Sequence, residues 1–177
     1  MNNNINFIKN IDNLGRVVIP MDIRRKLNIN TGDVLSITCN ENGINLSKYS
    51  SLDSDYKIIE TIKYFIEAFN INIILMDKET VKYSNIVDIN SKLDNNLKSK
   101  IMIGTTIKYT NDSIVIGNKK ITGTFNMNPI VTNEGIIGSI IVVGDNLSKS
   151  YEICNLISKI IMLYLNISWY LFHFVIN

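Results

Sequence analysis

The feature that most constrains this chain is the dense alternation of turns and short elements between Asn13 and Ile37. A Gly-Arg turn, a β-branched strand, a helix started by Pro20, a Gly-Asp turn and a second strand follow one another within this span. Elements this short bury too little apolar surface to form a core of their own. The span therefore predicts a small module that shares one core with a second copy of the chain.

Residues 1–49 are predicted to form a β-rich domain with one small helix. Pro20 is expected at the first helical position, where its missing N–H needs no partner. The turn at residues 40–43 makes the last two strands a hairpin. The first predicted strand contains Ile5, Phe7 and Ile11 at strand-like spacing. The other predicted strands cover residues 17–19, 34–37 and 44–49, and the helix covers residues 21–27.

Charge distinguishes this domain from the remainder of the chain. The net charge of the whole chain is only +2, which predicts no general affinity for polyanions. All three arginines nevertheless lie between Arg16 and Arg25, and every other cation is lysine. A planar guanidinium suits phosphates and base edges better than an ammonium does. The cluster favours nucleic-acid binding, and the alternative is a solvated basic face.

Residues 50–55 read as a polar linker, and residues 56–177 as a second domain. Helices and strands alternate there in an order typical of an α+β fold, which is an antiparallel sheet with flanking helices. We expect the helices to lie on one face of the sheet. The predicted helices cover residues 58–69, 86–99 and about 150 to the end, and the predicted strands cover residues 71–76, 81–83, 101–109, 113–116, 121–131 and 136–143.

Two motifs carry a family resemblance. Leu14-Gly15-Arg16-Val17-Val18-Ile19-Pro20, followed by Ile23-Arg24-Arg25 and Gly32-Asp33, resembles the swapped-hairpin domain of AbrB-type transition-state regulators. The segment from Asn128 to Ile141 resembles the end of a GAF domain. The combination is similar to the AbrB-type sporulation regulators of endospore-forming bacteria.

This resemblance implies a DNA-binding transcription regulator, both activator and repressor, of late forespore genes. It implies no enzymatic activity, no cofactor and no metal, and a location in the cytoplasm of the forespore. The expected partners are double-stranded DNA and further copies of the chain. The copies are expected to form a swapped-hairpin dimer and then a tetramer through helices of the GAF-like domain. An unidentified small-molecule effector is a further candidate partner.

The resemblance also implies the residues that contact DNA, which are Lys9, Arg16, Arg24 and Arg25. Asn10 stands where the family usually has a second basic residue beside Lys9. If these cations neutralise about six phosphates in a dimer, affinity falls by orders of magnitude over a fourfold rise in salt. Such arginines without a long recognition helix fit recognition of DNA shape.

Other residues leave alternatives open. Tyr109, Thr124 and Asn126 could line a ligand pocket of the GAF-like domain or be ordinary sheet residues. Cys39 and Cys154 lack metal-type spacing and are interpreted as reduced thiols.

The last helix is unusually apolar over residues 160–176. This run is shorter than the roughly 20 residues of a membrane span, so we expect burial in an oligomer rather than a membrane contact. His173 lies in this helix without a visible carboxylate partner and is interpreted as structural.

Two other functions compete with the regulator. Antitoxins share this N-terminal domain, but they usually continue into a short disordered tail rather than a folded domain. A small-molecule sensor with a secondary DNA role is the second alternative.

Overall fold

The computed structural model describes residues 7–27, 29–31, 33–41, 43–52, 56–133, 135–144 and 146–175, with side chains of the last helix described as far as Asn166. The chain divides into two units, Met1–Tyr49 and Ser50–Asn177. The predictions that concern Ile5, Gly32 and the side chain of His173 lie outside the described residues.

The described part of the first unit contains one short helix and one hairpin. Helix α1 covers Met21–Lys26, and the antiparallel strands β1 (Leu35–Asn40) and β2 (Gly43–Lys48) meet at the predicted turn. Pro20 is the N-cap of α1 and not its first helical residue, so that prediction is wrong by one position. Its φ of −56° would suit a helix, but its ψ of 147° is extended, so the helix begins only at Met21.

Two of the four predicted strands of this unit are not strands within the single chain. Among the described residues, neither residues 7–11 nor residues 17–19 pair with a neighbouring strand. A strand is defined by its ladder of backbone hydrogen bonds, and the only ladder in the described part of this unit joins β1 to β2. Residues 12–16 instead form a tight turn between the two unpaired segments.

The apolar side chains of the first unit face outward in the single chain. Of its described residues only Ile29 is a buried hydrophobic residue. The hairpin is amphipathic because side chains alternate along each strand, which places Leu35, Ile37 and Cys39 opposite Leu46 and Ile44 on one face. Large exposed apolar side chains of this unit include Ile8, Ile11, Leu14, Val17, Val18, Val34, Ile37 and Ile44.

In the residues that the structure describes, the second unit is an antiparallel sheet of five strands with three helices. The strands are ordered β4-β3-β7-β6-β5 across the sheet. The elements are α2 (Tyr56–Phe69), β3 (Asn72–Asp77), β4 (Val81–Ser84), α3 (Asn95–Ile103), β5 (Ile107–Ile116), β6 (Lys119–Thr132), β7 (Gly135–Val143) and α4 (Leu147–Val175).

Helices cover both faces of this sheet, so the expectation that they lie on one face is wrong. On one face, Ile73 and Leu75 belong to a core cluster with side chains of α2 and α4. On the other face, Ile74 and Met76 belong to a second cluster with side chains of α3. All four residues are fully buried, and a strand that is apolar at every position needs cover on both sides.

Helix α3 begins and ends later than the predicted helix over residues 86–99. Asp94 is its N-cap, and its carboxylate accepts a hydrogen bond from the Leu97 N–H at 2.7 Å. Gly104 ends it with a φ of +71°, a conformation that glycine adopts without strain. The predicted strand from residue 101 therefore begins only at Ile107.

Candidate nucleic-acid interface

A tight turn between the two unpaired segments is built around the carboxylate of Asp12. Its Oδ1 accepts hydrogen bonds from the backbone N–H groups of Leu14 at 3.0 Å and Arg16 at 2.8 Å. Its backbone carbonyl accepts the N–H of Gly15 at 2.9 Å. Gly15 has a φ of +75°, which explains the glycine at this position. The predicted Gly-Arg turn thus has a defined geometry.

The same carboxylate holds the side chain of Arg16. Arg16 Nε lies 2.8 Å from Asp12 Oδ2, while the two side chains remain 71% and 42% exposed. The hydrogen bonds from the backbone N–H and then the side chain of Arg16 lower the pKa of Asp12 below its usual value. Asp12 is therefore ionised at neutral pH, and Arg16 projects from the turn with one edge bound.

Arg24 and Arg25 lie together at the end of α1. Both line an open hollow of about 350 Å³, together with Met21, Ile29 and Thr31. The Ile29 N–H donates to the Arg24 carbonyl at 2.8 Å, which turns the chain back against the helix. Arg25 is exposed. The Nε of Arg24 is buried and has no hydrogen-bond partner among the described residues.

A second turn fixes the far wall of this hollow. The Asn30 N–H donates to Asp33 Oδ2 at 2.7 Å, and the Asp33 N–H donates back to the Asn30 carbonyl at 3.2 Å. Asp33 is the acidic residue of the predicted Gly-Asp turn, and this reciprocal bonding explains why a carboxylate follows a turn there. The loop that faces Arg24 and Arg25 is held in place by this bonding.

The four predicted DNA contacts are placed in three positions. Lys9 is exposed in the segment before the first turn. Arg16 is attached to Asp12, and Arg24 and Arg25 share one hollow. Sequence reasoning did not anticipate the partnership of Arg16 with Asp12, although a carboxylate four residues before an arginine is a signal of it.

The candidate ligand-pocket residues of the second unit are not brought together. Tyr109 is buried on the α3 face of the sheet, where its ring stacks on Phe125 with centroids 4.3 Å apart. Asn126 lies on the opposite face, where its Nδ2 donates to the Leu147 carbonyl of α4 at 3.2 Å. The Thr124 carbonyl accepts a backbone N–H from Gly144. These residues therefore do not line one pocket.

Both cysteines are free thiols in different environments. Cys39 is exposed on the hairpin. Cys154 is buried in α4, and its thiol lies 3.4 Å from the Asn126 carbonyl and 3.5 Å from the Ile140 carbonyl. Burial raises the pKa of Cys154 to about 12, so this thiol is protonated and unreactive at neutral pH.

The last helix packs on the sheet as far as its side chains are described. Ile153, Ile157, Ile161 and Leu165 are buried members of the cluster shared with α2. Across the described residues, no helix combines the length and apolar character needed to cross a membrane.

Comparison with known proteins supports the family resemblance. Residues 8–53 match the family model of the antidote-toxin recognition domain MazE, a bacterial antitoxin. The chain is also 28% identical over 145 residues to stage V sporulation protein T of Bacillus subtilis (strain 168), an alignment that covers 76% of this chain and 81% of that protein. The resemblance to a stage V sporulation protein T-like family is confirmed.

The fold class predicted from the sequence is also confirmed. An AbrB-like unit occupies the N-terminal part, and the antiparallel sheet with flanking helices is consistent with a GAF-like second unit.

Proposed function

We propose that the chain is a DNA-binding transcription regulator that acts in sporulation. The observation that carries the proposal is the open hollow at the end of α1, which Arg24 and Arg25 both line. A phosphate in this hollow would meet two guanidinium groups, and charge-assisted hydrogen bonds from guanidinium to phosphate are strong. The similarity to stage V sporulation protein T supports a role in sporulation. Within that role we propose that the chain activates and represses late forespore genes in the cytoplasm of the forespore.

Lys9, Arg16, Arg24 and Arg25 are the proposed DNA contacts. Arg24 and Arg25 bind backbone phosphates at the hollow, Arg16 reaches DNA from the Asp12 turn, and Lys9 adds charge from the first segment. Phosphate contacts position a protein on the duplex, whereas sequence preference arises from DNA shape when no helix enters the major groove. We therefore propose that this surface recognises curved, A·T-rich DNA by its shape.

Dimerisation by hairpin exchange completes the first unit. The exposed apolar face of the hairpin and the two unpaired segments support a second copy as the partner, because each lacks cover within one chain. Exchange would place two copies of every cation on one assembly. The six arginines and two Lys9 side chains of a dimer then face DNA together.

The GAF-like domain, residues 56–177 after a linker at residues 50–55, is proposed to regulate the protein and to join dimers into a tetramer. Leu156 and Leu163 are exposed on α4 and, being seven residues apart, lie on one side of it. Leu156→Glu/Leu163→Glu should reduce the assembly from tetramer to dimer, with its mass measured by light scattering. An unchanged mass in a folded variant would reject α4 as the tetramer contact.

The DNA proposal is tested by fluorescence anisotropy with a curved, A·T-rich duplex at several salt concentrations. Arg24→Ala/Arg25→Ala removes four cations from a dimer, so the slope of log affinity against log salt should fall by about 3 to 4. Lys78→Ala/Lys120→Ala is the matched control, because both lysines are exposed and lie in the second unit. Equal binding by the arginine variant and wild type would show the site assignment to be wrong.

An antitoxin is the second candidate function. The match with the MazE antitoxin model continues to residue 53, which is beyond the end of β2. Co-purification of a small toxin in a stoichiometric complex would favour this candidate. A toxin-free protein that still binds DNA would favour the regulator.

A further inference from the structure

We infer that Asp12 is a positioning residue for Arg16: it fixes the direction of the guanidinium and thereby gives the first unit its preference for curved DNA over duplex DNA in general. This inference rests on the proposed function, since it concerns the orientation of the Arg16 guanidinium, which is one of the proposed DNA contacts. It assigns to an acidic residue a role in binding a polyanion.

One carboxylate connects the backbone of the turn to the side chain that leaves it. Oδ1 accepts the N–H groups of Leu14 and Arg16, and Oδ2 accepts Arg16 Nε at 2.8 Å. The carboxylate is therefore fixed by the backbone before it binds the guanidinium. An exposed arginine without such a partner samples many rotamers, whereas Arg16 is held relative to the turn.

The bonded atom determines what the guanidinium offers to DNA. A guanidinium presents its five N–H donors in one plane, and Nε contributes one of them. With Nε bound to Asp12, the plane of the group is set, and the Nη donors on its other edge remain available to DNA. A group already held in its bound geometry loses less rotamer freedom when it meets a phosphate or a narrow minor groove.

The charge of Asp12 and its hydrogen bond to Arg16 have opposite effects on DNA binding. A carboxylate on a DNA-binding surface weakens the attraction to any duplex, because that attraction depends on net positive charge. It improves discrimination if it favours the one arrangement that a curved duplex accepts. Removal of Asp12 should therefore lower the preference for curved DNA without lowering affinity for straight DNA.

Arg24 provides an internal contrast. Its Nε is buried without a partner among the described residues, whereas Arg16 Nε is bound to Asp12 in an exposed turn. The side chains of these two arginines are thus held in place by different means. Arg24 is held by burial in a hollow, and Arg16 is held by a charged hydrogen bond.

The test compares Asp12→Asn with Asp22→Asn in the full-length chain. In D12N the amide oxygen of the new side chain still accepts the backbone N–H groups of the turn, but its NH₂ group cannot accept Arg16 Nε. Asp22 is an exposed carboxylate in the first turn of α1, so D22N makes the same charge change elsewhere in the unit. Binding of each variant is measured with a curved A·T-rich duplex and a straight mixed-sequence duplex of equal length.

The ratio of the two affinities should fall roughly three- to tenfold in D12N and stay at the wild-type value in D22N. Affinity for the straight duplex should stay equal or rise in both variants. In an Arg16→Gln background, D12N should cause no further fall in the ratio. Arg16→Lys, which keeps the charge but lacks the planar fork, should lower the ratio as D12N does.

Several outcomes would overturn the inference. They are equal ratios in D12N and D22N, a fall of the same size in the Arg16→Gln background, or a wild-type ratio in Arg16→Lys. If D12N fails to fold by circular dichroism, the Arg16→Lys result decides alone. If Arg16→Gln binds both duplexes as wild type does, Asp12 has no role through Arg16. Loss of binding in R24A/R25A would then show that the proposed function survives without this inference.

Discussion

The two units of the chain solve the problem of burying apolar surface in opposite ways. In the second unit, two apolar clusters are enclosed between one sheet and its helices, and Phe125 and Ile73 have no exposed surface. In the first unit, Ile37 and Ile44 are 69% and 76% exposed on the same hairpin face. The second unit therefore has a hydrophobic core within one chain, whereas the first unit needs a further chain to form a core.

The largest effect is expected in the self-contained unit. Phe125→Ala removes a fully buried ring that stacks on Tyr109, so the free energy of unfolding of this unit should fall by about 3 to 5 kcal/mol. Urea denaturation followed by circular dichroism measures the loss. A change below about 1 kcal/mol would contradict the close packing described for the α3 face.

An effect that is smaller for each side chain, and that depends on protein concentration, is expected in the first unit. Ile37→Ser should weaken dimerisation by about 1.5 to 3 kcal/mol for each side chain that the dimer buries. Hydrogen exchange measured by mass spectrometry should show protection of β1 and β2 that rises with protein concentration, while protection of β3 stays constant. Equal protection of β1 and β2 at all concentrations would mean that the first unit is stable alone, and the comparison would fail.

The two cysteines should differ in reactivity in the same way as their units differ in burial. At protein concentrations low enough to dissociate the proposed dimer, exposed Cys39 should react with a thiol reagent in the folded chain, whereas Cys154 should react only after unfolding. The ratio of the two modification rates, read by mass spectrometry of peptides, measures this difference. Similar rates would show that α4 opens readily from the sheet.

The raised pKa of Cys154 also predicts a dependence of stability on pH. Burial favours the protonated thiol in the folded state, so its contribution is complete below the unfolded pKa of about 9.0 and is lost as pH rises towards about 12. Above pH 9, wild type should lose stability relative to Cys154→Ala by roughly 1 kcal/mol per pH unit. A constant difference between the two proteins from pH 8 to 10.5 would contradict it.

Local sequence patterns were sufficient for the elements whose signals are strong. The turn between Asn40 and Gly43 predicted the hairpin, and the 3–4 spacing of apolar residues predicted α2. The α4 helix was also predicted, although it begins at Leu147 and not near residue 150. In these segments the local pattern and the tertiary structure agree.

Other features depend on contacts that a single sequence does not reveal. Strand β5 continues through residues 110–112, which are polar and were predicted as a break. There the strand contains a bulge, and Asn111 adopts a φ of +51°, so polar residues are accommodated at the sheet edge. The placement of α3 on the second face was likewise not predictable, because its periodicity is weak and its position is set by packing against the sheet at β7.

The sequence predicted which cations form the candidate site. It did not predict the hydrogen bonds and the burial that hold their side chains. The clustering of Arg16, Arg24 and Arg25 is visible in the sequence, whereas the partner of Arg16 and the burial of Arg24 Nε require the folded turns. Charge can be counted from a sequence, but the direction of a guanidinium depends on which acceptor binds it.

The polar groups beneath α4 fix that helix along its own axis. Asn126 donates to the Leu147 carbonyl and Asn128 Nδ2 lies 3.5 Å from Ser158 Oγ, so two contacts separated by three turns hold α4 to β6. Apolar surfaces alone would tolerate a slide by one helical turn, about 5.4 Å, but such a slide would break both contacts. The helix therefore has a single position along its axis relative to the sheet. Anything attached to its C-terminal end lies at a fixed distance from the sheet.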